Sequence, residues 1–263
     1  MARSSLKSVC RLIEQAKENL PPEQAFLADL KRSIEIEAEK GGRKPSQSYK
    51  PSSMNCIRNM YYQMMGVEPK KDTTTYCLVG ICNSGSDIHV RVQTAVEHMK
   101  DSGIDCEYID VADYVKSRNL DYLTIVSKSG METKLFHNDL HMSFLCDGII
   151  RYKGHYYILE LKTEMSAKWN RRENVDPSHY MQGTAYSIAF NLPEVLFVYI
   201  NRDILDMKAY MFVPTDEMKQ NLVGRIEECD GYVSRMICPP KPEDVAKKTC
   251  TYCGYINQCK KDS

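Results

Sequence analysis

Three charged residues lie around an otherwise apolar stretch of the sequence. Glu160 and Lys162 are two positions apart in YILELKT, and Asp147 lies upstream in CDGII. Because successive side chains of a strand point to opposite faces, Glu160 and Lys162 are expected to share one face. Charged groups are buried in a strand only when they are paired or bind a metal ion. The pattern therefore predicts a polar site within a sheet.

Asp147 is expected to join this site through a hairpin. The turn residues Lys153 and Gly154 separate two strand-like segments, and the hairpin they predict can bring Asp147 beside Glu160. Two converging carboxylates repel each other unless a cation lies between them, and oxygen ligands favour Mg²⁺ or Mn²⁺. Lys162 could then orient a water or stabilise charge on a phosphate. A surface ion pair beside an ordinary turn aspartate is the alternative interpretation.

Two predicted helices supply further candidates. Gln182 and Tyr186 are four residues apart in the helix predicted at 178–190, so they share a face and could meet a phosphate or a base edge. His89 lies among apolar residues in the helix predicted at 86–100. It is either a core histidine or, beside a carboxylate site, a metal ligand.

The chain has 11 cysteines, an odd number, and its first residues contain no long apolar stretch that would predict a secretory signal. Reduced thiols are therefore expected rather than a disulfide framework. Cys250, Cys253 and Cys259 are spaced C-x₂-C-x₅-C in a short polar tail. Such a tail has no core of its own, and three thiolates at this spacing can surround one metal centre, with a fourth ligand from elsewhere.

The order of these residues resembles that in the PD-(D/E)XK nucleases of the RecB type, and most closely the Cas4-like iron–sulfur exonucleases. The resemblance covers residues 45–260 and rests on His89, then Asp147-Gly148, Glu160-Leu161-Lys162-Thr163, then Gln182-x-x-x-Tyr186. It implies that Lys162 serves the attacking water, and that Gln182 and Tyr186 support the site and contact DNA. It also implies a set of ligands for Mg²⁺ or Mn²⁺, namely His89, Asp147, Glu160 and the carbonyl of Leu161.

The same resemblance extends to the cysteines. The segment Cys56-Ile57-Arg58-Asn59-Met60-Tyr61-Tyr62 resembles the Cys-x-Arg-x-x-Tyr-Tyr segment of that family, in which one early and three late cysteines hold a [4Fe–4S] cluster. The ligands implied here are Cys56, Cys250, Cys253 and Cys259. Zinc in a Cys₄ site is the second choice, and four unrelated thiols are the third.

Local basic residues are the candidates for contact with DNA, because 35 basic and 35 acidic side chains leave no net charge. Lys168, Arg171 and Arg172 follow the predicted catalytic strand, with Trp169 among them. Cations beside an aromatic ring suit single-stranded DNA, although a solvated basic loop fits the same residues. Arg58, next to the predicted cluster, could also meet a phosphate.

The predicted fold class is α/β. Strand-like segments from 122 to 164, with helices around them, predict a mixed central sheet, and the resemblance implies a restriction-endonuclease-like core. We expect an N-terminal helical extension at 1–45, beginning with a helix at 6–20, and a nuclease domain at 46–263 that ends in the cysteine-rich tail.

The function implied by the resemblance is a metal-dependent DNA exonuclease that hydrolyses phosphodiester bonds at single-stranded ends, in recombination, repair or DNA processing. An endonuclease on the same scaffold and a non-catalytic DNA-binding subunit are the alternatives. Expected partners are DNA, further copies of the chain, or a larger nuclease, helicase or integration complex. No membrane partner is expected, since no stretch approaches about 20 apolar residues. The expected location is the cytoplasm of a bacterial, archaeal or virus-infected cell.

Overall fold

The chain forms two compact units. A computed structural model describes residues 20–40, 47–70, 75–243, 245, 247–251 and 253–262. One unit comprises Met1–Arg43 with Lys71–Asn83, and the other comprises Lys44–Lys70 with Ser84–Ser263. The helix predicted at 6–20 lies, apart from its last residue, outside the described residues.

The described part of the first unit is helical. Helix α1, Pro22–Lys40, has no buried residue. Its large apolar side chains are exposed to solvent, and Phe26 is 68% exposed. Within this unit the backbone N–H of Tyr76 donates to a carboxylate oxygen of Glu35 at 3.1 Å. The ammonium of Lys31 lies 4.7 Å from the centre of the Tyr76 ring. Polar contacts thus connect α1 to the start of the next long helix.

The second unit contains two β-sheets, which confirm the predicted α/β class. The larger sheet has five strands in the order β1-β5-β6-β7-β8, and only the β6–β7 pair is parallel. Its strands are β1 Cys106–Ile109, β5 Gly148–Tyr152, β6 His155–Glu164, β7 Val195–Asn201 and β8 Met207–Phe212. The smaller, antiparallel sheet consists of β2 Leu123–Ser129, β3 Glu132–His137 and β4 Met142–Cys146.

Helices surround these sheets. After α1, the helices of the described residues are α2 Ile57–Met64, α3 Tyr76–Glu97, α4 Val111–Ser117, α5 Ser166–Trp169, α6 Tyr180–Phe190, α7 Asp216–Arg235, α8 Lys247–Thr251 and α9 Ile256–Lys261. Two 3-10 turns, Pro51–Ser53 and Pro177–His179, precede α2 and α6. None of the described helices combines the length and hydrophobicity needed to cross a lipid bilayer.

The start of α3 differs from the prediction. The helix predicted at 86–100 begins ten residues earlier, at Tyr76, and ends at Glu97. Gly80 and Gly85 lie inside this helix, and each glycine costs a helix only about 1 kcal/mol. The hairpin at Lys153-Gly154 is confirmed, with φ angles of 49° and 82°. Two positive φ angles are what a tight two-residue hairpin turn requires.

The chain changes sheets at Asp147. The sequence predicted one strand through HMSFLCDGIIRY, whereas β4 ends at Cys146 in the small sheet and β5 begins at Gly148 in the large one. A Cβ atom on Gly148 would lie 2.6 Å from the ring of Tyr108, so only glycine fits against that ring. Asp147 is thereby placed at the junction of the two sheets.

Helix α6 packs closely on the large sheet because Gly183 has no side chain. A Cβ atom there would lie 2.8 Å from the Phe212 ring and 3.2 Å from the Phe197 ring. Those rings belong to the buried core, where Phe197 is 0% exposed. The close approach fixes the height of α6 above β7 and β8.

Replacing Gly183 with alanine should therefore destabilise the protein, by about 1–3 kcal/mol for overpacking a filled core. The matched control is Gly224→Ala in α7, where an added Cβ meets nothing within 4 Å. That control should be neutral or stabilising by up to about 1 kcal/mol, because alanine favours the helix. Urea unfolding of both variants measures the difference, and equal stabilities would contradict the packing described for α6.

Candidate functional site

Glu160 and Lys162 emerge from the central strand β6 beneath α6. The Lys162 ammonium donates to Glu160 Oε1 at 2.6 Å and to Gln182 Oε1 at 3.0 Å. The Glu160 side chain is only 4% exposed, whereas that of Lys162 is 22% exposed. The shared face predicted from their spacing is therefore present, and the ammonium is the part of the pair that solvent reaches.

Gln182 and Tyr186 lie on α6 directly above this pair. The Gln182 amide donates to Glu160 Oε1 at 2.7 Å and to the Tyr186 hydroxyl at 2.9 Å. The Tyr186 hydroxyl donates in turn to the Leu145 carbonyl at 2.7 Å. Both tips are thus occupied by protein groups and both residues are buried. This geometry suits the implied support of the site, and the implied DNA contact by these two residues stays a prediction.

Asp147 is held from three sides. Its Oδ2 accepts the backbone N–H of Leu161 at 2.8 Å, and its Oδ1 lies 3.3 Å from Nδ1 of His89 on α3. Its own carbonyl accepts from the side-chain amide of Gln93 at 2.6 Å. The structure therefore brings His89 to the carboxylates. Gln93 was missed by the sequence analysis, although it lies four residues after His89 on the same helical face.

The Leu161 backbone faces the same junction. Strand β5 begins at Gly148, which pairs with Leu159, so the edge of β6 beyond that pair is open to Asp147. The N–H and C=O groups of one strand residue point to the same neighbouring strand. The Leu161 carbonyl therefore lies on the edge that already donates to Asp147.

Glu132 is a further acidic residue at the site. Ligand atoms of His89, Glu132 and Asp147 all lie within 4.8 Å of one another. Thr133 pairs with Cys146 across β3 and β4, which places Glu132 next to Asp147. The sequence analysis missed this residue, because the register of β3 against β4 is the only signal that connects it to the motif.

The charges of the site are unbalanced. Burial raises the pKa of Glu160 to about 7, with Asp147 adding to the rise and Lys162 opposing it. Burial alone would lower the pKa of His89, but its hydrogen bond to Asp147 and the negative charge of both carboxylates raise it overall. Glu160 Oε2 is buried, and no group of the described residues is its hydrogen-bond partner. A carboxylate oxygen in this position is expected to bind a cation.

These donors fit a divalent cation. Carboxylate oxygens, one imidazole and a backbone carbonyl suit Mg²⁺ or Mn²⁺, and the unpartnered Oε2 of Glu160 would gain the partner it lacks. Ligand atoms of His89, Glu132 and Asp147 form the close group, and Glu160, which lies outside that group, interacts with Asp147 and His89 through its charge.

Comparison with known proteins identifies a shared fold. The chain is similar to the protein solved as the crystal structure of SSO0001, with a TM-score of 0.50 and 17% sequence identity. The match covers 91% of this chain and 98% of that chain. No protein-family profile and no curated protein matches the sequence. A fold hosts many activities, so the function must be argued from the site itself.

The four predicted cysteine ligands lie together at the other end of the unit. Burial raises the pKa of Cys56, and the thiols of Cys259 and Cys250 add to the rise. Burial likewise raises the pKa of Cys253, with added contributions from Cys56, Cys250 and Cys259. The structure therefore gathers thiols from residue 56 and from the tail at one place.

Nitrogen donors surround these sulfurs. The Arg58 guanidinium lies 3.4 Å from the Cys259 sulfur, and the Tyr255 N–H lies 3.4 Å from the Cys253 sulfur. Among the described residues, no three of the cysteine sulfurs lie within 4.8 Å of one another. Zinc–sulfur bonds of about 2.3 Å would place four sulfurs about 3.8 Å apart. No three of the described sulfurs therefore have the spacing of ligands to one zinc ion.

Arg58 does not lie where DNA could reach it. Its side chain is buried and donates to the carbonyls of Pro239 at 2.8 Å, Cys259 at 3.0 Å and Asp262 at 3.1 Å. The predicted phosphate contact is therefore wrong, since the guanidinium connects α2 to the tail. Its acceptors lie about 180 or more positions away in sequence, which no local pattern reveals.

Two of the other DNA-binding predictions are also wrong. Trp169 is 8% exposed and donates through Nε1 to the Tyr199 carbonyl at 3.0 Å, so its ring cannot stack on a base. Arg172 is 9% exposed and makes two hydrogen bonds to Glu164, at 2.7 and 2.6 Å. Glu164 lies on the same strand face as Glu160 and Lys162. Because it is buried, its negative charge needs a cationic partner such as Arg172.

Lys168 and Arg171 are the two predicted DNA contacts that remain accessible. Lys168 is 43% exposed at its side chain, although it pairs with Glu164 at 2.7 Å and Asp176 at 2.8 Å. Both basic residues line an open cavity of about 690 Å³, together with Tyr180. These two residues stay predictions as DNA contacts.

Replacing Arg172 with methionine should leave Glu164 as a buried charge without its two-pronged partner. We expect a loss of about 3–5 kcal/mol in unfolding free energy at neutral pH. Arg171→Met, which alters an exposed neighbour, is the matched control and should change stability by less than about 0.5 kcal/mol. Denaturant unfolding of both variants measures the difference.

The pH dependence of the protein's stability should follow from the carboxylate of Glu164. Burial would raise the pKa of Glu164, but hydrogen bonds from Arg172 and Lys168 hold it below its ordinary value. A carboxylate whose pKa is lower in the folded protein than in the unfolded one stabilises the fold at pH values above its ordinary, unfolded pKa. This stabilisation is lost as the pH falls through the folded-state pKa. The loss of stability on acidification should therefore be shallower in Arg172→Met than in the wild type. Identical slopes would contradict the pairing.

Proposed function

We propose that the protein is a metal-dependent deoxyribonuclease of the RecB-type PD-(D/E)XK class that hydrolyses phosphodiester bonds at single-stranded DNA ends. The observation that carries the proposal is Glu160, whose buried carboxylate keeps one oxygen without a partner beside Asp147 and His89. Lys162 pairs with Oε1 of this carboxylate, and a bound cation would give Oε2 a partner as well.

The divalent cation would be held by His89, Asp147, Glu160 and the carbonyl of Leu161, with Glu132 as a further carboxylate. When bound, Mg²⁺ or Mn²⁺ supplies Lewis acidity toward the scissile phosphate and the attacking water. The protein's part is to fix the oxygens in place. The Leu161 N–H holds Asp147 at 2.8 Å, and the Gln182 amide holds Glu160 at 2.7 Å.

Lys162 supplies the positive charge that faces the substrate. Its ammonium is held by Glu160 and Gln182 and remains 22% exposed, so a third N–H can reach a water or a phosphate oxygen. An oriented donor at this point would stabilise the negative charge that develops on the phosphate. Gln182 and Tyr186 act as positioning residues. The choice of DNA as substrate rests on the sequence resemblance.

The four cysteines would hold a [4Fe–4S] cluster that serves a structural role. The tail from residue 238 onward has little buried apolar surface, and a cluster would join it to the start of α2. Hydrogen bonds to cluster sulfurs are a common feature of such sites, and Arg58 and Tyr255 are placed to provide them. Zinc remains the second choice for these ligands.

The nuclease proposal is tested with end-labelled linear and circular single-stranded DNA, in Mg²⁺, in Mn²⁺ and with a chelator. We expect metal-dependent degradation of the linear strand alone. Lys162→Ala and Asp147→Asn should lower kcat by at least about 10²–10³-fold, as losses of transition-state stabilisation do. Lys153→Ala, in the exposed hairpin turn, is the control and should retain full activity.

The outcomes separate the three functions considered. Cutting of the circle would indicate an endonuclease. Binding of DNA without any cutting, in either metal, would indicate a non-catalytic subunit. Full activity in Lys162→Ala would show that the site lies elsewhere.

The cluster is tested by metal analysis of protein purified without oxygen. Cys253→Ala should lose iron and visible absorption and should lower the thermal midpoint, because the tail loses its connection to α2. Cys77→Ala, an exposed cysteine in α3, should keep the wild-type iron content. Zinc without iron in the wild-type protein would instead favour the Cys₄ zinc site.

A further inference from the structure

The imidazole of His179 lies near the Lys162 ammonium, and the proposed reaction does not use it. His179 ends the 3-10 turn Pro177–His179, three residues before Gln182. Its ring stacks on Phe197, with centroids 6.1 Å apart, and on Tyr199, with centroids 5.8 Å apart. Because Phe197 and Tyr199 pair in register with Glu160 and Lys162, His179 lies over β7 at the level of the candidate site.

The hydrogen bonds of Tyr199 assign the tautomer of His179. The Tyr199 hydroxyl oxygen accepts the backbone N–H of Asp176 at 3.0 Å and lies 2.9 Å from His179 Nδ1. Within the described residues, Nδ1 is the acceptor available to the hydroxyl proton. The hydroxyl therefore donates to Nδ1, and in a neutral ring the remaining proton lies on Nε2.

The surroundings keep the ring neutral. Burial, and after it the nearby Lys162 ammonium, lower the pKa of His179 to about 4. Asp176 opposes this, while Lys168 and Arg172 add to it. Burial raises the pKa of Tyr199 to about 12, so its hydroxyl stays protonated at neutral pH and can donate. The two residues form a neutral pair with a fixed direction of hydrogen bonding.

Within the described part of the chain, no group accepts the Nε2–H of His179. Nε2 is also not one of the buried polar atoms without a partner, so it is not enclosed by the protein. The ring is half-buried, so Nε2 is left to solvent or to a ligand. A neutral N–H beside an existing ammonium suits an anionic oxygen, because it adds a directed donor without burying a second charge.

We propose that His179 binds the DNA backbone by donating its Nε2–H to a non-bridging phosphate oxygen beside Lys162. This rests on the proposed nuclease function and adds a substrate contact to it. His179 acts here in binding rather than proton transfer, because a neutral imidazole releases its second proton only at pH values far above neutrality. Tyr199 is the positioning residue that keeps Nε2 protonated.

Steady-state cleavage of single-stranded DNA tests the contact. His179→Ala should lower kcat/KM about tenfold, the effect of losing one hydrogen bond to a charged group, and most of the change should lie in KM. His179→Gln, whose amide N–H can reach the position of Nε2, should restore kcat/KM to within about threefold of the wild type. His155→Ala, at an exposed histidine on the hairpin, should match the wild type.

Nitrogen-15 NMR of the imidazole tests the assigned tautomer without any DNA. The wild type should show the Nε2–H form, and Tyr199→Phe should shift the ring toward a mixture of tautomers. An Nδ1–H form in the wild type would overturn the proposal.

The cleavage results distinguish failure of this contact from failure of the nuclease function. If the wild type cuts DNA and both His179 variants equal it, the contact does not exist. Equal losses in the alanine and glutamine variants would reduce His179 to a packing role and also overturn the proposal. If the wild type cuts no DNA, the nuclease function fails. The contact is then decided by the anisotropy of a labelled single strand in Ca²⁺, where His179→Ala should weaken binding about tenfold and unchanged binding would overturn it.

Discussion

The hydrogen bond from the Leu161 amide to the Asp147 carboxylate is the interaction on which the arrangement of the site depends. It forms where the chain leaves the three-stranded sheet and enters the five-stranded one, so a single residue connects both sheets. With one oxygen occupied by Leu161, the other is turned toward His89. Glycine at position 148 permits this, because the Tyr108 ring fills the space of a side chain there. The site is thus a product of the sheet junction.

One face of β6 carries two buried carboxylates that have different partners. Glu160, Lys162 and Glu164 share that face, and both acids are 4% exposed at their side chains. Glu164 has Arg172 and Lys168 as partners, and its pKa is lowered. Glu160 has one ammonium and a second carboxylate nearby, and its pKa is raised to about 7. These opposite pKa shifts support the cation site proposed at Glu160.

Sequence patterns predicted those features of the site that depend on residues close together in the chain. The strand at Glu160 and Lys162, the hairpin at Lys153-Gly154 and the shared face of Gln182 and Tyr186 follow from periods of two and of three to four residues. Glu132 depends instead on the register between two strands of the second sheet. Arg58, Trp169 and Arg172 were assigned to DNA because their types suit it. The hydrogen-bond acceptors of Arg58 and Trp169 lie in distant parts of the chain, whereas Arg172 pairs with Glu164, eight residues before it. Burial by distant segments is not visible in a local pattern.

The Arg58 guanidinium joins the last described residues of the chain to helix α2. It reaches two carbonyls in the final turn, those of Cys259 and Asp262, while Tyr62 from the same early helix donates to the Asp262 carboxylate at 2.8 Å. Removal of this turn by a protease would take away two carbonyl groups that accept hydrogen bonds from Arg58 and would open its guanidinium to water. Shortening the chain by a few residues would therefore loosen the helix that begins about two hundred positions earlier.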